Sequence, residues 1–273
     1  MPKDKITSLT NPFIKELVKL RDRKTRKESN FTLVEGFKET GLALESKAKF
    51  EQIFLCPELF GEDKKGRKAK VLEEITKRKL PTIETTKEVF QKISYGERQE
   101  GILGLVEPYL YRFADLKLKK DPLFVVAECV EKPGNLGAIL RTSEAANADA
   151  LIVVEAVTDI FNPNVIRASL GTVFTIPVVS CSNQEAFDFL KKQKVSVCIA
   201  EPNFPTIYYD ADLKQPVALV VGGEKEGLSQ FWRSHADVQV KVPMFGKAGS
   251  LNLSVTAGVL IYEAVRQRNE LIT

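Results

Sequence analysis

An amide and a guanidinium stand six residues apart in the stretch Glu131-Lys132-Pro133-Gly134-Asn135-Leu136-Gly137-Ala138-Ile139-Leu140-Arg141-Thr142. Asn135 can donate and accept hydrogen bonds, and Arg141 is a fixed cation. A loop carrying both groups and aimed at a crevice is a candidate binding site. The neighbouring elements decide whether it is so aimed. The apolar run Leu123-Phe124-Val125-Val126-Ala127 before it reads as a buried strand, and 139–146 after it reads as a helix. Gly134 permits a tight turn, and Asn135 is a good N-cap, which holds both side chains near the carboxyl end of the strand. In open α/β sheets ligands sit at that edge. On its own, a strand–glycine–helix turn is more often a plain connection.

Two later segments give the stretch its weight. One is Val217-Ala218-Leu219-Val220-Val221-Gly222-Gly223-Glu224-Lys225-Glu226-Gly227-Leu228-Ser229. The other runs Val240-Lys241-Val242-Pro243-Met244-Phe245-Gly246-Lys247-Ala248-Gly249-Ser250-Leu251-Asn252-Leu253-Ser254-Val255-Thr256-Ala257-Gly258. In order and spacing, the three stretches resemble the signature motifs N-x-G-A-I-x-R-T, G-x-E-x-x-G-L and I/V-P-M…S-L-N-x-S-V of the SpoU (TrmH) branch of the SPOUT RNA methyltransferases. Three ordered motifs are far more specific than one glycine loop. Arg26-Lys27-Glu28-Ser29-Asn30-Phe31-Thr32-Leu33-Val34-Glu35-Gly36 also resembles the entry to the substrate-binding domain that often precedes the catalytic domain in that family.

The resemblance implies methyl transfer from S-adenosyl-L-methionine to a ribose 2′-hydroxyl. That hydroxyl is a poor nucleophile near neutral pH, so the enzyme must align it, accept its proton and stabilise the developing alkoxide. Arg141 matches the family's catalytic arginine. A guanidinium stays protonated, so the expected role is phosphate binding and oxyanion stabilisation, with the proton acceptor unassigned. Asn135, Glu224, Ser250 and Asn252 match the family's polar site positions. The amides would orient Arg141 or the ribose, and Glu224 would pair with Arg141. Structural roles stay open for each: Asn135 or Ser250 as a helix cap, Glu224 as an exposed turn residue. Gly222, Val242 and Leu251 match the cofactor-binding positions, with plain core packing the alternative for the last two. Asn162-Pro163-Asn164-Val165-Ile166-Arg167-Ala168-Ser169-Leu170-Gly171 resembles a further recurring segment, in which Arg167 contacts RNA or a partner subunit, or merely helps start a helix. The single histidine, His235, falls outside the motifs.

Composition bounds the function classes. The 273 residues suffice for one large or two modest soluble domains, and no apolar run approaches the ~20 residues a membrane helix needs. No apolar stretch follows Met1-Pro2-Lys3-Asp4-Lys5, so no secretory signal is expected. Cys56, Cys129, Cys181 and Cys198 are too far apart for metal-ligand spacing. Buried thiols of a cytoplasmic protein are expected, with no metal and no disulfide framework. The net charge of +4 is unevenly spread. Residues 1–120 hold 27 Lys+Arg and 19 Asp+Glu, and residues 121–273 hold 13 and 17. That asymmetry favours a polyanion partner for the front half. Arg23, Lys24, Arg26 and Lys27 are the expected RNA contacts, within a cluster that also holds Lys15, Lys19 and Arg21. A second cluster runs from Lys64 to Lys79. Solvated helix faces are the alternative for both.

The spacing predicts α/β organisation throughout. In front, helices are predicted at 12–21, 37–44, 68–79 and 86–93, with strands at 31–34, 50–56, 81–84 and 101–106. In the family the matching domain, here 1–107, resembles an L30e-type ribosomal protein that binds RNA. Residues 108–120 read as a linker in which Leu110, Tyr111, Phe113 and Leu116 can dock on either side. The rear domain, 121–273, has predicted strands at 123–129, 151–155, 176–180, 195–200, 217–222 and 238–242. Its predicted helices are 135–147, 163–170, 183–192 and 250–267. That is a mostly parallel sheet with helices on its faces. The resemblance adds a trefoil knot, with about 246–266 threaded through a preceding loop, and a homodimer through the rear domain. The last helix is apolar around most of its circumference, which also calls for burial on nearly every side.

The reading that follows is 2′-O-ribose methylation of 23S-type rRNA. A tRNA substrate, or an RNA-binding or ribosome-assembly protein that keeps the fold without activity, are the alternatives. A nucleotide-dependent oxidoreductase is disfavoured, since no G-x-G-x-x-G fingerprint is present.

Overall fold

The computed structural model describes residues 5–63, 66–96, 99–223 and 226–269. The front of the chain runs β1 (Lys5–Ile6), α1 (Pro12–Lys19), α2 (Arg23–Ser29), β2 (Thr32–Glu35), α3 (Phe37–Leu44), β3 (Lys49–Leu55), α4 (Arg67–Lys77), β4 (Thr82–Thr85), α5 (Lys87–Ile93) and β5 (Ile102–Glu107). The rest runs β6 (Leu123–Glu128), α6 (Pro133–Ala145), β7 (Ala150–Val154), α7 (Pro163–Ala168), β8 (Val178–Cys181), α8 (Asn183–Lys192), β9 (Ser196–Ala200), β10 (Thr206–Ile207), β11 (Val217–Val221), α9 (Gln230–His235), β12 (Val238–Lys241) and α10 (Leu253–Asn269). The chain forms two compact units, Met1–Tyr109 with Phe161–Thr175, and Leu110–Ile160 with Ile176–Thr273.

The first unit is built on a mixed sheet in the order β1-β4-β3-β5-β2. The β1–β4 and β4–β3 pairs are parallel, and β5 is antiparallel to both β3 and β2. Ile14, Leu17, Leu33, Phe54, Phe90 and Leu103 fill one side of it. The segment 161–175, which carries the asparagine–arginine–glycine motif, packs inside this unit, where the Thr32 hydroxyl donates to the Phe161 carbonyl at 2.7 Å. A Cβ on Gly96 would come within 2.0 Å of Arg167 Nη1, so Gly96 leaves room for that guanidinium.

The second unit holds a sheet in the order β10-β12-β9-β11-β6-β7-β8, parallel at every pairing. Val126 on β6 stands opposite Val220 on β11 and Ile152 on β7, which fixes the centre of the register. β6, β7 and β11 are buried along their whole length, as strands covered on both faces must be. The interdomain stretch docks on this unit: Phe113 stacks on Phe189 with centroids 4.1 Å apart, and the Tyr111 amide donates to the Val178 carbonyl.

Three local readings are corrected. The predicted 12–21 helix ends at Lys19, and α2 starts afresh with Asp22 accepting from the Thr25 amide. No apolar stripe announces the sequence RKTRKES as helix. Asn135 is not an N-cap, because Pro133 already occupies the first turn, where its fixed φ and missing N–H cost nothing. α6 therefore starts two residues early and carries Arg141 onto its third turn, away from the strand end. Ser250 caps no helix, since α10 starts at Leu253 and the side-chain Oδ1 of Asn252 accepts from the Ser254 amide at 2.9 Å. Within one chain α10 turns Ala257, Leu260, Ile261 and Ala264 inward and leaves Val255 and Tyr262 about half exposed, at 49% and 51%, so intrachain packing covers only part of its apolar surface. β10 and α9, both short, had no periodicity to reveal them.

Candidate active site

In the second unit, four adjacent strands, β12, β9, β11 and β6, point their carboxyl ends the same way. The loops that leave them enclose a cavity of about 500 Å³, closed on another side by the residues leading into α10. Its size lies in the range that holds a small ligand or cofactor. Gly222, Val242, Ser250, Leu251 and Asn252 all line it, so five residues singled out by the sequence share one space. Lys132 and Glu201 join them.

The two amides meet. Asn252 Nδ2 donates to Asn135 Oδ1 at 3.1 Å, while Asn252 Oδ1 accepts from the Ser254 amide and from its hydroxyl, at 2.9 and 2.7 Å. The Ser254 N–H can only donate, so it fixes which end of the Asn252 amide is oxygen. Asn135 is nearly buried at 8% exposure. The pair ties the first turn of α6 to the start of α10, and the two helices pack along each other.

The loop's own backbone requires a glycine at 222. A Cβ there would fall 2.4 Å from the Gly227 carbonyl carbon and 2.5 Å from the Leu228 nitrogen. The glycine admits the loop's own backbone, which folds back through a Gly223–Gly227 bridge with Gly227 at φ +68°. The loop is held from both sides. The Ser229 amide donates to Glu128 Oε2 at 2.8 Å, and the Leu228 amide to Glu201 Oε1 at 3.3 Å. Arg233 grips Glu201, with Nη2 at 2.7 Å from Oε1, and that hydrogen bond raises the guanidinium's pKa further. Sequence reasoning passed over Glu201. Its signal was a lone carboxylate following an apolar run, the same position relative to a strand end that drew attention to Gly222.

Glu224 lies outside the described residues. Arg141 is exposed on α6 and is not on the cavity wall. With Ala138, Thr142 and Ala145 it forms an i, i+3, i+4, i+7 stripe that is exposed or half-buried, and Gly258 of α10 abuts Thr142.

The front basic residues divide. Arg23, Lys24 and Lys27 are exposed, with Lys24 reaching 3.9 Å from Glu28. Arg26 is buried at 5%, and its Nη1 donates to the Leu20 and Arg21 carbonyls at 2.7 and 2.8 Å. It satisfies the backbone past the end of α1, so the expectation of an RNA contact there is corrected. In the second cluster Lys77 and Arg78 pair with Glu74, Lys68 Nζ binds the Gly61 carbonyl, and Lys64 and Lys65 lie outside the described residues. Among the described residues no His/Cys/Asp/Glu group could hold a metal ion, and no helix is long and apolar enough to cross a membrane.

A parallel α/β sheet with a ligand-sized cavity at its carboxyl edge, walled by the loops that leave its strands, is the architecture of a domain that binds a small molecule. The chain belongs to the SpoU rRNA methylase family, whose model matches residues 122–262. The MRM3-like substrate binding domain matches residues 11–104. The 23S rRNA (guanosine-2'-O-)-methyltransferase RlmB of Xylella fastidiosa (strain 9a5c) is 34% identical over 222 residues, covering 78% of this chain and 89% of that protein. A crystal structure of an RNA 2'-O ribose methyltransferase superposes with a TM-score of 0.83 at 36% identity, covering 97% of this chain and 99% of the other. An AdoMet-bound rRNA methyltransferase from Sinorhizobium meliloti gives 0.83 at 29% identity, covering 96% and 97%.

Proposed function

We propose that the protein methylates a ribose 2′-hydroxyl of structured RNA, with 23S-type rRNA as substrate and S-adenosyl-L-methionine as cofactor. The observation that carries this is the cavity in which Gly222, Val242, Ser250, Leu251 and Asn252 converge. Its residues fit the cofactor: apolar side chains from Val242 and Leu251 suit an adenine ring, and backbone groups of the 222–228 loop suit its polar edge. When bound, S-adenosyl-L-methionine supplies a methyl group already activated by its sulfonium. The chain's own residues must then hold the ribose and meet the charge that develops on its oxygen. The joined amides of Asn135 and Asn252 fix the geometry beside the cavity. Ser250 offers a hydroxyl there, and Arg141 offers a permanent cation for the phosphate and the oxyanion. Glu224 is the intended carboxylate partner of Arg141.

In the same reading, 1–107 is the RNA-binding domain, 108–120 the linker and 121–273 the catalytic domain, with 246–266 threaded as in a trefoil knot. The match of 11–104 to a substrate binding domain supports the first assignment. The protein acts in the cytoplasm as a homodimer. Support for the dimer comes from α10, where Val255, Val259 and Tyr262 form an exposed or half-buried stripe. Next to it lies the α6 stripe of Ala138, Arg141, Thr142 and Ala145. A second copy seated on this face would cover the apolar side chains and place Arg141 at the seam. Light scattering at low micromolar concentration should show twice the 30.5 kDa chain mass, and Tyr262→Asp should shift it to the monomer. A wild-type monomer under those conditions removes the dimer and leaves the activity standing.

The activity is tested by supplying methyl-labelled cofactor with rRNA and with tRNA, then mapping the modified nucleotide. Label in a ribose of rRNA is expected. Label on a base overturns the reaction, and label confined to tRNA overturns the substrate.

A further inference from the structure

Strand β9 ends on Ala200, and Glu201 is the next residue on the cavity wall. Its two oxygens are unequally used. Oε1 accepts from Arg233 Nη2 at 2.7 Å, from Arg233 Nε at 3.2 Å and from the Leu228 amide at 3.3 Å. Among the described residues, Oε2 accepts from Arg233 Nε alone, at 3.2 Å. A carboxylate oxygen has room for two good donors, and one long shared contact leaves Oε2 under-satisfied. The Glu201 side chain is 19% exposed against 39% for Arg233, and Glu201 lines the cavity while Arg233 stands behind it, outside the lining.

We propose that Glu201 is a cofactor-binding residue whose Oε2 accepts a hydrogen bond from a hydroxyl or amino group of the adenosine moiety, with Arg233 as the residue that positions it. The proposal rests on reading the cavity as the S-adenosyl-L-methionine site. An ionised carboxylate is acceptor-only, so it selects a donor-bearing ligand edge, and a ribose or an adenine amino group presents one. The fixed edge has a second task. By holding the Leu228 amide, Oε1 keeps the Gly227–Leu228 backbone folded over Gly222, the close approach that leaves no space for a side chain there. One carboxylate thus sets the shape of the loop and contributes a contact to what the loop encloses. Arg233 keeps it from rotating away, since its contacts to both oxygens define the plane.

Calorimetric titration of the full chain with S-adenosyl-L-methionine and with 5′-methylthioadenosine tests this, because the second ligand keeps the adenosine and lacks the amino acid. Glu201→Gln retains an acceptor for the Leu228 amide and so keeps the fold. It should weaken both ligands about tenfold, the loss of one charge-assisted hydrogen bond. Arg233→Met leaves Glu201 in place but unanchored, and should weaken both by roughly threefold. In turnover the loss should fall on KM for the cofactor rather than on kcat, as expected for a contact made equally before and during reaction. Unchanged affinity of Glu201→Gln for 5′-methylthioadenosine, with wild-type Tm, overturns the proposal. So does a loss confined to S-adenosyl-L-methionine, which would assign the carboxylate to the amino-acid ammonium. Wild-type protein that binds neither ligand overturns the cofactor reading itself, and this inference with it.

Discussion

Helices α2 and α6 use arginine in opposite ways. On α2, Arg26 turns inward and gives its guanidinium to two backbone carbonyls beyond α1. On α6, Arg141 is exposed on a helix whose Leu136, Ile139 and Leu140 are buried. A buried guanidinium is tolerated only when its donors are satisfied, and Arg26 gives Nη1 to two main-chain oxygens. An outward arginine that gives no hydrogen bond to a main-chain carbonyl has no such structural employment. The number of basic residues in a stretch therefore says little about which of them face a ligand. The hydrogen bonds that consume each charge decide it.

The sharpest test of this contrast is Arg141→Ala. Turnover should fall by ~10²–10³, the usual cost of losing a contact to developing oxyanion charge. Calorimetric affinity for S-adenosyl-L-methionine should stay within about threefold. Residual activity above about a tenth of wild type removes Arg141 from the chemistry. The counterpart, Arg26→Met, should lower unfolding stability by about 2–4 kcal/mol in denaturant titration, because the Leu20 and Arg21 carbonyls lose their donor. Its RNA binding should keep the wild-type salt slope. A shallower slope with unchanged stability would reverse the assignment and make Arg26 the ligand. Changing Arg23, Lys24 and Lys27 together to Glu should do what Arg26→Met does not: reduce the dependence of log K on log salt by about 2, with stability kept within about 1 kcal/mol. An unchanged slope means the cluster is a solvated face.

The smallest expected effect concerns the sheet beneath the cavity rather than either arginine. Burial pushes the Cys198 and Cys181 thiols up to about 12. A raised folded-state pKa gives stability that is present below the unfolded value of 9.0 and lost as pH rises toward 12. The deeply buried Cys198 should cost about 1 kcal/mol between pH 9 and pH 10, and the partly exposed Cys181 less. Cys198→Ala should flatten the alkaline limb of the Tm profile against wild type, and an identical limb in both proteins rules this out.

The parallel strands were legible because both faces are covered. Leu123 to Ala127 and Val217 to Val221 are unbroken apolar runs, and a strand buried on both sides has no other way to look. Most of the cavity was legible through ordered motifs, which placed Gly222, Val242, Ser250, Leu251 and Asn252 before any geometry was known. The rest was decided by contacts that no local pattern encodes. Asn135 meets Asn252 across 117 residues, and Glu201 meets Arg233 across 32. Neither pair has a periodicity. Arg26 looked like its neighbours because composition cannot distinguish a guanidinium that binds solvent from one that binds carbonyls. Asn135 looked like a cap because the proline two residues earlier was not weighed as a helix start.

The cavity takes its walls from residues scattered between Lys132 and Thr256. During synthesis, growing at roughly 5–20 residues per second, the nascent chain can pair β6 with β7 many seconds before the segment that closes the cavity leaves the ribosome. The walls are complete only at the end, when Ser250, Leu251 and Asn252 emerge and α10 docks on α6. A chain cut short between β12 and that point has all the strands of this sheet and an incomplete ligand site. Ligand that binds only the finished architecture stabilises only finished chains, by an amount set by its concentration relative to Kd. The cell's pool of cofactor would thus act as a quality check on completed copies, sparing them and leaving truncated ones to proteolysis.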